Sequence, residues 1–321
     1  MSRLVLAVTA VAAAAALAPA IAGDAPPQPL KFAWPVPSKG KVTEELLRGG
    51  ISATTRCTAT LDKTEDAAGL RLHLSDWEIV ELQGRGADDP SIAPQVRMLL
   101  LSLRVTPDLL LGTDGSVKEV VGLDAALDTI FREIEKGADE GQKAALPKLR
   151  EQMNSPESRA TLQKSVTRAW TTWVGDWAGR VIPDGERGVE GPHRVVFPDM
   201  NEYEAPTRFR RMSGESEGAG LVKFTRESVL DGEDARPVLA AWLAKVKEAR
   251  GSAPPATGLR FVDRALTVAD PATLLPKRVM REQLLTLQIK DMPERTDVER
   301  HTYTFEWQPA APAPKTDTPP K

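Results

Sequence analysis

Side chains that could act as nucleophiles, bases or metal ligands are few and widely spaced in this sequence. The chain has one cysteine and three histidines, which are Cys57, His73, His193 and His301. A catalytic nucleophile needs a base within hydrogen-bonding reach and a third group that orients the base. His73 is close to Asp76 in the sequence, but alternation along a strand would place the two on opposite faces. The spacing therefore predicts a solvated or core-edge His73 rather than a general base.

The other two histidines stand in different patterns. His193 follows Gly191-Pro192, and such a pair is typical of a loop, so we expect His193 on the surface. His301 alternates with Tyr303 and Phe305, which places the three side chains on one face of a predicted strand. We therefore expect His301 and Tyr303 to border any cavity on that face, where they could contact a ligand.

Cys57 lies in an alternating stretch whose apolar members share its parity, namely Ile51, Ala53, Cys57, Ala59 and Leu61. This alternation predicts a strand with those side chains on its inner face. A lone cysteine in an exported protein is either a small buried hydrophobe or one half of an intermolecular disulfide. The pattern favours a buried core thiol over a reactive nucleophile.

Sequence motifs of common catalytic and cofactor sites are absent. The chain has no Gly-x-Ser-x-Gly elbow, no phosphate-binding loop, no His-Glu-x-x-His helix and no cysteine pair at zinc spacing. We therefore predict no catalytic residue, no metal site and no cofactor, and the sequence favours a non-enzymatic protein. A hydrolase that uses paired Asp or Glu side chains stays open, because the carboxylates are too numerous for sequence to select a pair.

Tryptophan is the one unusual feature of the composition, since the chain has seven in a sequence that is only 5% aromatic. Helical spacing places Trp170 and Trp173 on one helix and Trp242 on another, where each would pack against a sheet. Core packing explains this pattern; the alternative is an apolar pocket beneath the helices. On that alternative the predicted ligand-binding residues are Phe131, Trp170, Trp173, Trp242, His301 and Tyr303.

Helices that would position these side chains are predicted between residues 91 and 177. A short buried helix is expected over 91–103, with Ser91 as its N-cap. Short strands at 109–111 and 117–121 flank a turn at Asp114-Gly115. Three helices should follow, the first ending at Gly137, the second interrupted by Pro147, and the third starting at Ser155.

Alternating strand patterns lie on both sides of these helices. The first β block, residues 31–83, should contain an edge strand at 31–36, a long strand at 41–61 with a bulge at Gly49-Gly50, and a strand at 69–83. This last strand should bury Val80, and its second half, with Trp77 and Ile79 on the opposite parity, should be covered on both faces. The second block, residues 178–307, contains a predicted helix at 235–250 and strands at 195–197, 207–212, 221–230, 258–268, 278–289 and 299–307. The predicted fold class is α+β, a curved, half-barrel-like antiparallel sheet in two β blocks with a central helical block packed on one face.

The two ends of the chain read differently from the single α+β domain predicted for residues 23–307. Residues 1–22 resemble a signal peptide, with Arg3, an apolar run too short for a membrane span and an Ala20-Ile21-Ala22 cleavage pattern. We therefore expect a periplasmic or extracellular protein. Residues 308–321 are rich in Pro and Ala and should be disordered. The net charge of −3 gives no general attraction for nucleic acid, so no such partner is predicted.

Three short motifs carry a resemblance to uncharacterised exported bacterial β-rich proteins. They are Gly115–Gly122 before a helix, Val174–Trp177 after it, and Asp270–Pro276 before a strand. The β-α-β layout is also similar to periplasmic lipoprotein carriers of the LolA and LppX type, in which a curved half-barrel sheet holds acyl chains beneath helices. This second similarity is one of architecture and implies no residue roles.

Taken together, these patterns predict an exported cell-envelope protein that binds a hydrophobic ligand, such as a lipid, or a partner between its sheet and its helices. The alternative is a structural or interaction module without a ligand cavity, whose Pro-rich tail contacts an envelope protein or the cell wall. A carboxylate-based hydrolase is the third possibility.

Overall fold

A computed structural model describes residues 27–65, 69–197, 201–213, 218, 220–253 and 255–308 of the chain. The predicted leader and all but the first residue of the predicted tail lie outside these ranges. Among the described residues, no helix is both long enough and apolar enough to cross a membrane.

The strands of both predicted β blocks join in one curved sheet that is not closed. In chain order they are β1 (Ser38–Arg48), β2 (Ile51–Lys63), β3 (Leu70–Leu82), β4 (Arg85–Gly86), β5 (Asp108–Leu111), β6 (Val117–Val121), β7 (Gly185–Val196), β8 (Glu202–Ser213), β9 (Val222–Leu230), β10 (Ala256–Ala269), β11 (Pro276–Ile289) and β12 (Arg295–Trp307). Neighbouring strands are antiparallel in the order β6-β5-β3-β2-β1-β12-β11-β10-β9-β8-β7, and β4 pairs with β3. The pairing of β1 with β12 joins the first β block to the second.

A layer of helices covers one face of this sheet, as the fold-class prediction requires. They are α1 (Ala93–Arg104), α2 (Leu123–Gly137), α3 (Glu140–Met153), α4 (Pro156–Trp170) and α5 (Gly232–Arg250). A π-helical turn, Thr171–Gly175, continues α4 towards the sheet. The predicted α+β class is confirmed.

Aromatic side chains define the sheet face that the helices cover, which we call the inner face. Trp173 lies edge-on to Tyr303 and Phe305 of β12, with ring centroids 5.4 and 5.0 Å apart. Tyr303 and Phe305 are buried while Thr304 between them is exposed, as strand alternation predicts. The parity predicted for β12 is therefore confirmed.

The segment predicted as an edge strand at 31–36 is instead an extended strap outside the sheet. Its N–H groups bond to loops, from Leu30 to the carbonyl of Arg180 at 2.8 Å and from Ala33 to that of Thr273 at 3.0 Å. Proline residues on either side of Val36 lack the N–H that a ladder needs. The strap still buries Phe32 and Trp34 between the helices and the sheet.

The single long strand predicted at 41–61 is wrong, because it is a hairpin of β1 and β2. Gly49 and Gly50 have φ values of +55° and +82°, and Arg48 pairs directly with Ile51. Two consecutive positive φ angles form a tight two-residue turn rather than a bulge. Ile51 consequently lies at the hairpin tip and is exposed, contrary to its predicted inner position.

Cys57, further along β2, is buried as predicted. Burial, reinforced by the charge of Glu44, raises the pKa of its thiol to about 12. The thiol therefore stays protonated and behaves as a small core hydrophobe.

Irregular pairing changes which side chains β3 buries. The register with β2 shifts between Arg56 and Thr58, so that Ser75 pairs with Thr58 while Glu78 pairs with Arg56. This shift reverses the alternation, so Ile79 is buried and the predicted core residue Val80 is exposed.

Two predictions about the helices are also wrong. Helix α3 runs through Pro147 without interruption, and since none of its residues is buried, solvent can satisfy the carbonyl that loses its partner. Ser91 does not cap α1; its N–H donates to Asp89, which caps a short 3₁₀ turn ahead of the helix. Ser155 caps α4 as predicted, accepting from the N–H of Ser158.

We predict that Gly115→Ala in the β5–β6 turn will lower the free energy of unfolding by about 1–3 kcal/mol. Gly115 has a φ of +81°, and a Cβ there would lie 2.7 Å from Cγ of Phe32. Gly137→Ala is the matched control, because no described atom lies within 4 Å of its Cβ position. The control should change stability by at most about 1 kcal/mol, in the stabilising direction. Denaturant titration of both variants measures the difference, and equal losses would contradict the prediction.

Candidate functional site

The helix–sheet interface beside Trp170 and Trp173 is filled by side chains. Trp170 packs against Trp34 with ring centroids 5.2 Å apart, and its Nε1 donates to the carbonyl of Gly115 at 2.9 Å. The cavity that remains beside the two tryptophans measures about 20 Å³. That volume holds about one water molecule and is far too small for an acyl chain.

The six residues predicted to bind a ligand do not share a cavity in the described part of the chain. Trp170, Trp173 and Tyr303 belong to one core cluster, next to which His301 lies on β12. Phe131 packs in a separate cluster within the helical layer. Trp242 lies on α5 and packs against a third cluster, formed by α5 and strands of the second β block. Helical spacing predicted the buried faces but not which faces would meet.

A stripe of polar and charged residues crosses the inner face between these apolar clusters. Strand register aligns it in two adjacent rows, one of Thr207, Ser228, Asp263, Gln283 and Glu299, the other of Phe209, Arg226, Ala265, Arg281 and His301. We call the charged members of these rows, together with the groups that contact them from the helices, the polar stripe. Each row takes one residue from each of five strands, so sequence proximity could not reveal the group.

An ion cluster at the centre of the stripe is buried. Arg226 and Arg281 lie opposite Ala265 on the two strands that flank β10, and this small residue leaves room for both guanidinium groups. Arg281 donates from Nε and Nη2 to the two oxygens of Asp263, at 3.1 and 2.8 Å. Arg226 Nη2 lies 3.1 Å from Asp263 Oδ1. The three side chains are 0 to 7% exposed, so each charge depends on its partners.

Ionisation of Asp263 is set by this arrangement. Burial alone would raise the pKa of its carboxyl, but the charges of Arg226 and Arg281 outweigh burial and hold it well below its usual range. The same balance acts on Asp176, whose pKa is lowered by Arg226 and His193 against the effect of burial. Both carboxylates therefore remain charged in the interior.

Asp176 reaches the stripe from the turn that follows α4. The π-helical turn places Asp176 Oδ2 3.4 Å from Arg226 Nη1 and its Oδ1 3.5 Å from His193 Nε2. In the sequence, residues 174–177 form a resemblance motif that predicts no role for Asp176. The structure makes it a buried counter-charge.

The prediction that His193 lies in a surface loop is wrong. His193 belongs to β7, and its side chain is 15% exposed. Pro192, the residue before His193, is tolerated in β7 because β7 is an edge strand, where an N–H need not pair with a neighbour.

His193 lies between two guanidinium groups. Arg180 Nη2 is 3.1 Å from its Nδ1, and Arg226 Nη1 is 2.7 Å from its Nε2. Guanidinium groups only donate, and a neutral imidazole accepts at one nitrogen only. The carboxylate of Asp176, with Oδ1 3.5 Å from Nε2, is the other acceptor beside the ring.

Arg168 of α4 ties the helical layer to the stripe. Its Nη2 lies 2.6 Å from both Glu299 Oε1 and Gln283 Oε1. Burial opposes ionisation of Glu299, but hydrogen bonding to His301 and the charges of Arg168 and Arg48 lower its pKa to about 2. Glu299 is therefore ionised throughout the physiological pH range.

His301 lies between two carboxylates. Its Nδ1 is 2.7 Å from Glu44 Oε1, and its Nε2 is 2.9 Å from Glu299 Oε1. Burial disfavours the imidazolium, but hydrogen bonds to Glu299 and Glu44 outweigh burial and raise the pKa of His301. A protonated ring can donate from both nitrogens, which suits two acceptors. His301 thus belongs to the ion network, and its ring contacts carboxylates rather than an apolar cavity.

A pocket of about 190 Å³ opens onto the stripe between α4 and the sheet, and we call it the Arg226 pocket. Helix α4 and the π-helical turn line one side, while β7, β8, β9 and β11 line the other. Its positively ionisable side chains are Lys164, Arg168, His193, Arg194, Arg226 and Arg281. This pocket brings more convergent polar groups together than the tryptophan interface does.

A larger depression of about 830 Å³ lies elsewhere, formed by β7, β8, β9 and the start of α5. Its rim includes Glu190, Glu227 and Glu233, and each of these carboxylates is paired with an exposed arginine. The depression lacks the buried charges of the stripe, so size alone does not make it the better candidate.

A shared pattern could have revealed the residues that sequence reasoning missed. Arg226 interrupts the inward parity of β9, where Phe224 and Leu230 are apolar, and Asp263 interrupts that of β10. A charged residue at an inward position of an apolar strand is costly unless it is paired. Finding such interruptions on neighbouring strands would have pointed to the ion cluster.

Within the described part of the chain, no group of three or more His, Cys, Asp or Glu side chains is placed to hold a metal ion. The structure therefore adds no candidate metal centre to the polar stripe.

Comparisons with known proteins leave the family open. No protein-family model matches the chain, and no curated protein matches its sequence. Among solved structures it aligns with a porin-like protein from Bacteroides uniformis, at 8% identity, over 86% of this chain and 100% of the other. The TM-score is 0.16, which is too low for that similarity to carry an argument. The resemblance to uncharacterised exported β-rich proteins stays a prediction.

We predict that Asp263→Asn will lower the free energy of unfolding by about 3–5 kcal/mol, because Arg226 and Arg281 would lose their shared buried counter-charge. Asp297→Asn on β12 makes the same change at a half-exposed carboxylate paired with Arg295. That control should stay within about 0.5 kcal/mol of the wild type. Denaturant titration at pH 7 compares the two, and a loss as small for Asp263→Asn as for Asp297→Asn would refute a dependence on the buried pair.

We also predict that His301 contributes a pH dependence to stability. A histidine whose folded pKa is raised stabilises fully below its unfolded pKa, and this contribution is lost as pH rises through the folded pKa. The free energy of unfolding should therefore fall as pH rises above about 6.5, and His301→Gln should remove that decline. His73→Gln, which changes an exposed histidine paired with Asp108, should keep it. Unfolding titrations at pH 6, 7.5 and 9 test this, and an unchanged slope in His301→Gln would exclude the role.

Proposed function

We propose that the protein is a non-catalytic, exported binding protein that holds a small polar solute between helix α4 and the curved sheet. The Arg226 pocket is the observation that carries this proposal. It is the place where side chains from α4, the π-helical turn and four strands converge on a space of about 190 Å³. Clefts with a few converging polar groups are the usual form of small-molecule sites.

The size and lining of the pocket support a small polar solute rather than a lipid. Pockets for drug-sized ligands measure roughly 300–1,000 Å³, so a pocket of about 190 Å³ suits a smaller molecule. Of the predicted apolar ligand residues, Trp170 and Trp173 leave only about 20 Å³ between them and their neighbours. An acyl ligand beneath the helices therefore has less support than it had from the sequence.

Ionisation of the buried carboxyl groups supports binding rather than catalysis. A general acid or base works best with a pKa near the operating pH. Asp176, Asp263 and Glu299 all have lowered pKa values, which keep them as carboxylates. A glycosidase-like mechanism needs one carboxylic acid that remains protonated, with a raised pKa. These three residues do not fit that requirement.

A purely structural module is the second candidate, and the completeness of several ion pairs favours it. Arg281 is satisfied by Asp263, and Arg168 by Glu299 and Gln283, without any added molecule. On this alternative the stripe would only fix the register of five strands and dock α4 onto them. A binding measurement separates the two candidates, because only a binding protein responds to a solute.

Export and the tail belong to the proposal on sequence grounds alone. Residues 1–22 and 309–321 lie outside the described part of the chain, so the signal peptide and the proline-rich tail stay predictions.

We predict that a panel of solutes will contain at least one that raises the melting temperature of the purified protein and binds with one-to-one stoichiometry. The panel should span neutral sugars, amino acids, small anions, small cations and fatty acids, and calorimetric titration should follow any thermal shift. A solute that binds only the folded state stabilises it by RT ln(1 + c/Kd), where c is its free concentration, so the thermal shift grows with the logarithm of its concentration. The absence of a response to every class would contradict a binding function and favour the structural module.

Thr167→Trp provides the matching variant, because Thr167 lines the pocket and an indole there would fill it. We expect Thr167→Trp to abolish the thermal shift. Thr304→Trp makes the same substitution on β12 at an exposed position away from the inner face and should retain the shift. Equal binding by both variants would place the solute outside the Arg226 pocket.

A further inference from the structure

We infer that the solute of the Arg226 pocket is a small oxyanion, a carboxylate or a phosphate, which the guanidinium of Arg226 binds at the base of the pocket and Lys164 and Arg194 attract at its mouth. This inference rests on the proposed function and specifies its ligand class. It is carried by unsatisfied hydrogen-bond donors, by an excess of positive charge, and by the graded exposure of the cations.

Arg226 has donors without acceptors in the interior. Its side chain is 3% exposed, and its Nε and Nη2 make no hydrogen bond with any described residue. Nη2 is close to Asp263 Oδ1, but the contact lacks hydrogen-bond geometry. A buried donor without an acceptor is costly, and an arginine fork matches the two oxygens of a carboxylate or phosphate.

His193 and Asp176 do not supply the missing acceptors of Arg226. Both approach its Nη1, with His193 Nε2 at 2.7 Å and Asp176 Oδ2 at 3.4 Å, so Nε and Nη2 are the donors left without a hydrogen bond to a described residue. The oxygens of a carboxylate or phosphate can accept from such donors, whereas an ammonium group would bring only further donors.

The charges around the pocket do not cancel. Five cationic side chains line it, namely Lys164, Arg168, Arg194, Arg226 and Arg281. The carboxylates that lie within 4 Å of these cations are four, namely Asp176, Glu202, Asp263 and Glu299. Arg180 adds one more positive charge beside His193. The remaining charge corresponds to one or two negative charges on the bound solute.

Exposure is graded from the mouth of the pocket to its base. The side chains of Arg194 and Lys164 are 80% and 42% exposed and share Glu202, whereas those of Arg281 and Arg226 are 7% and 3% exposed. Charges at the mouth raise the local concentration of an anion, and the buried fork then holds it where water screens little. Lysine attracts as a point charge, while the planar guanidinium fixes the orientation of the oxyanion.

Calorimetric titration of the full chain at low ionic strength tests the ligand class with inorganic phosphate, acetate, succinate, glucose and putrescine as probes. We expect one-to-one binding of phosphate or of a carboxylate, weakened at higher salt, and no binding of glucose or putrescine. Preference for phosphate over acetate and succinate would identify a phosphate-bearing solute, and the reverse preference would identify a carboxylate.

Matched variants connect the binding to the pocket. Lys164→Gln should weaken anion binding by roughly threefold to tenfold, since its charge is partly screened, and Arg226→Lys should weaken it by more than roughly tenfold, since the fork is lost. Lys143→Gln on α3 is the control, because the side chain of Lys143 is 44% exposed and is likewise paired with a glutamate. Its affinity should equal that of the wild type. If Arg226→Lys does not fold, the comparison of Lys164→Gln with Lys143→Gln still decides whether the anion binds in the Arg226 pocket.

Three results would overturn the inference. Binding of glucose or putrescine at the Arg226 pocket would leave the proposed function standing and remove the oxyanion class. Equal anion affinity in Lys164→Gln and Lys143→Gln would indicate an adventitious ion only. No response to any probe, together with no response to the wider solute panel, would remove both the ligand class and the binding function.

Discussion

The carboxylate of Asp263 is held between the guanidinium groups of Arg281 and Arg226 in the middle of the sheet, without exposure to water. Such a charge is tolerated only where its partners are placed with good geometry. The partners come from β9 and β11, so strands β9, β10 and β11 must keep one register for the cluster to form. A slip by one residue would turn Arg226 or Arg281 to the opposite face and leave a buried charge unpaired.

Apolar and charged zones of the inner face alternate along β10. A charged zone therefore separates two apolar zones of the helix–sheet interface. Phe261 packs with α5 at one end of the strand, and Trp177 reaches Ala265 and Ala269 towards the other, while Asp263 lies between them. The helix–sheet interface is therefore dry where tryptophans fill it and polar where the stripe crosses. The small volume beside Trp170 and the open Arg226 pocket are two consequences of this one division.

Binding and structural roles make different demands on the stripe. A purely structural network would satisfy each donor internally, as Arg281 is satisfied by Asp263. Arg226 departs from this, because Nε and Nη2 lack hydrogen-bond acceptors among the described residues while its side chain is almost fully buried. Sites that bind ligands commonly keep such preorganised, incompletely satisfied groups, since their partner arrives with the ligand.

Local patterns in the sequence determined most of the elements, including the alternation of β12, the helix that Ser155 caps, and the burial of Cys57. These features depend on neighbours within a few residues, which is the range over which strand and helix periodicity act. Only the tertiary structure decided that β1 pairs with β12, that His193 is an inner residue of an edge strand, and that Asp176, Arg226 and Asp263 meet. Each of these depends on strand register between segments far apart in the chain, and register is set by the combined packing and charge pairing of the whole sheet rather than by any single stretch.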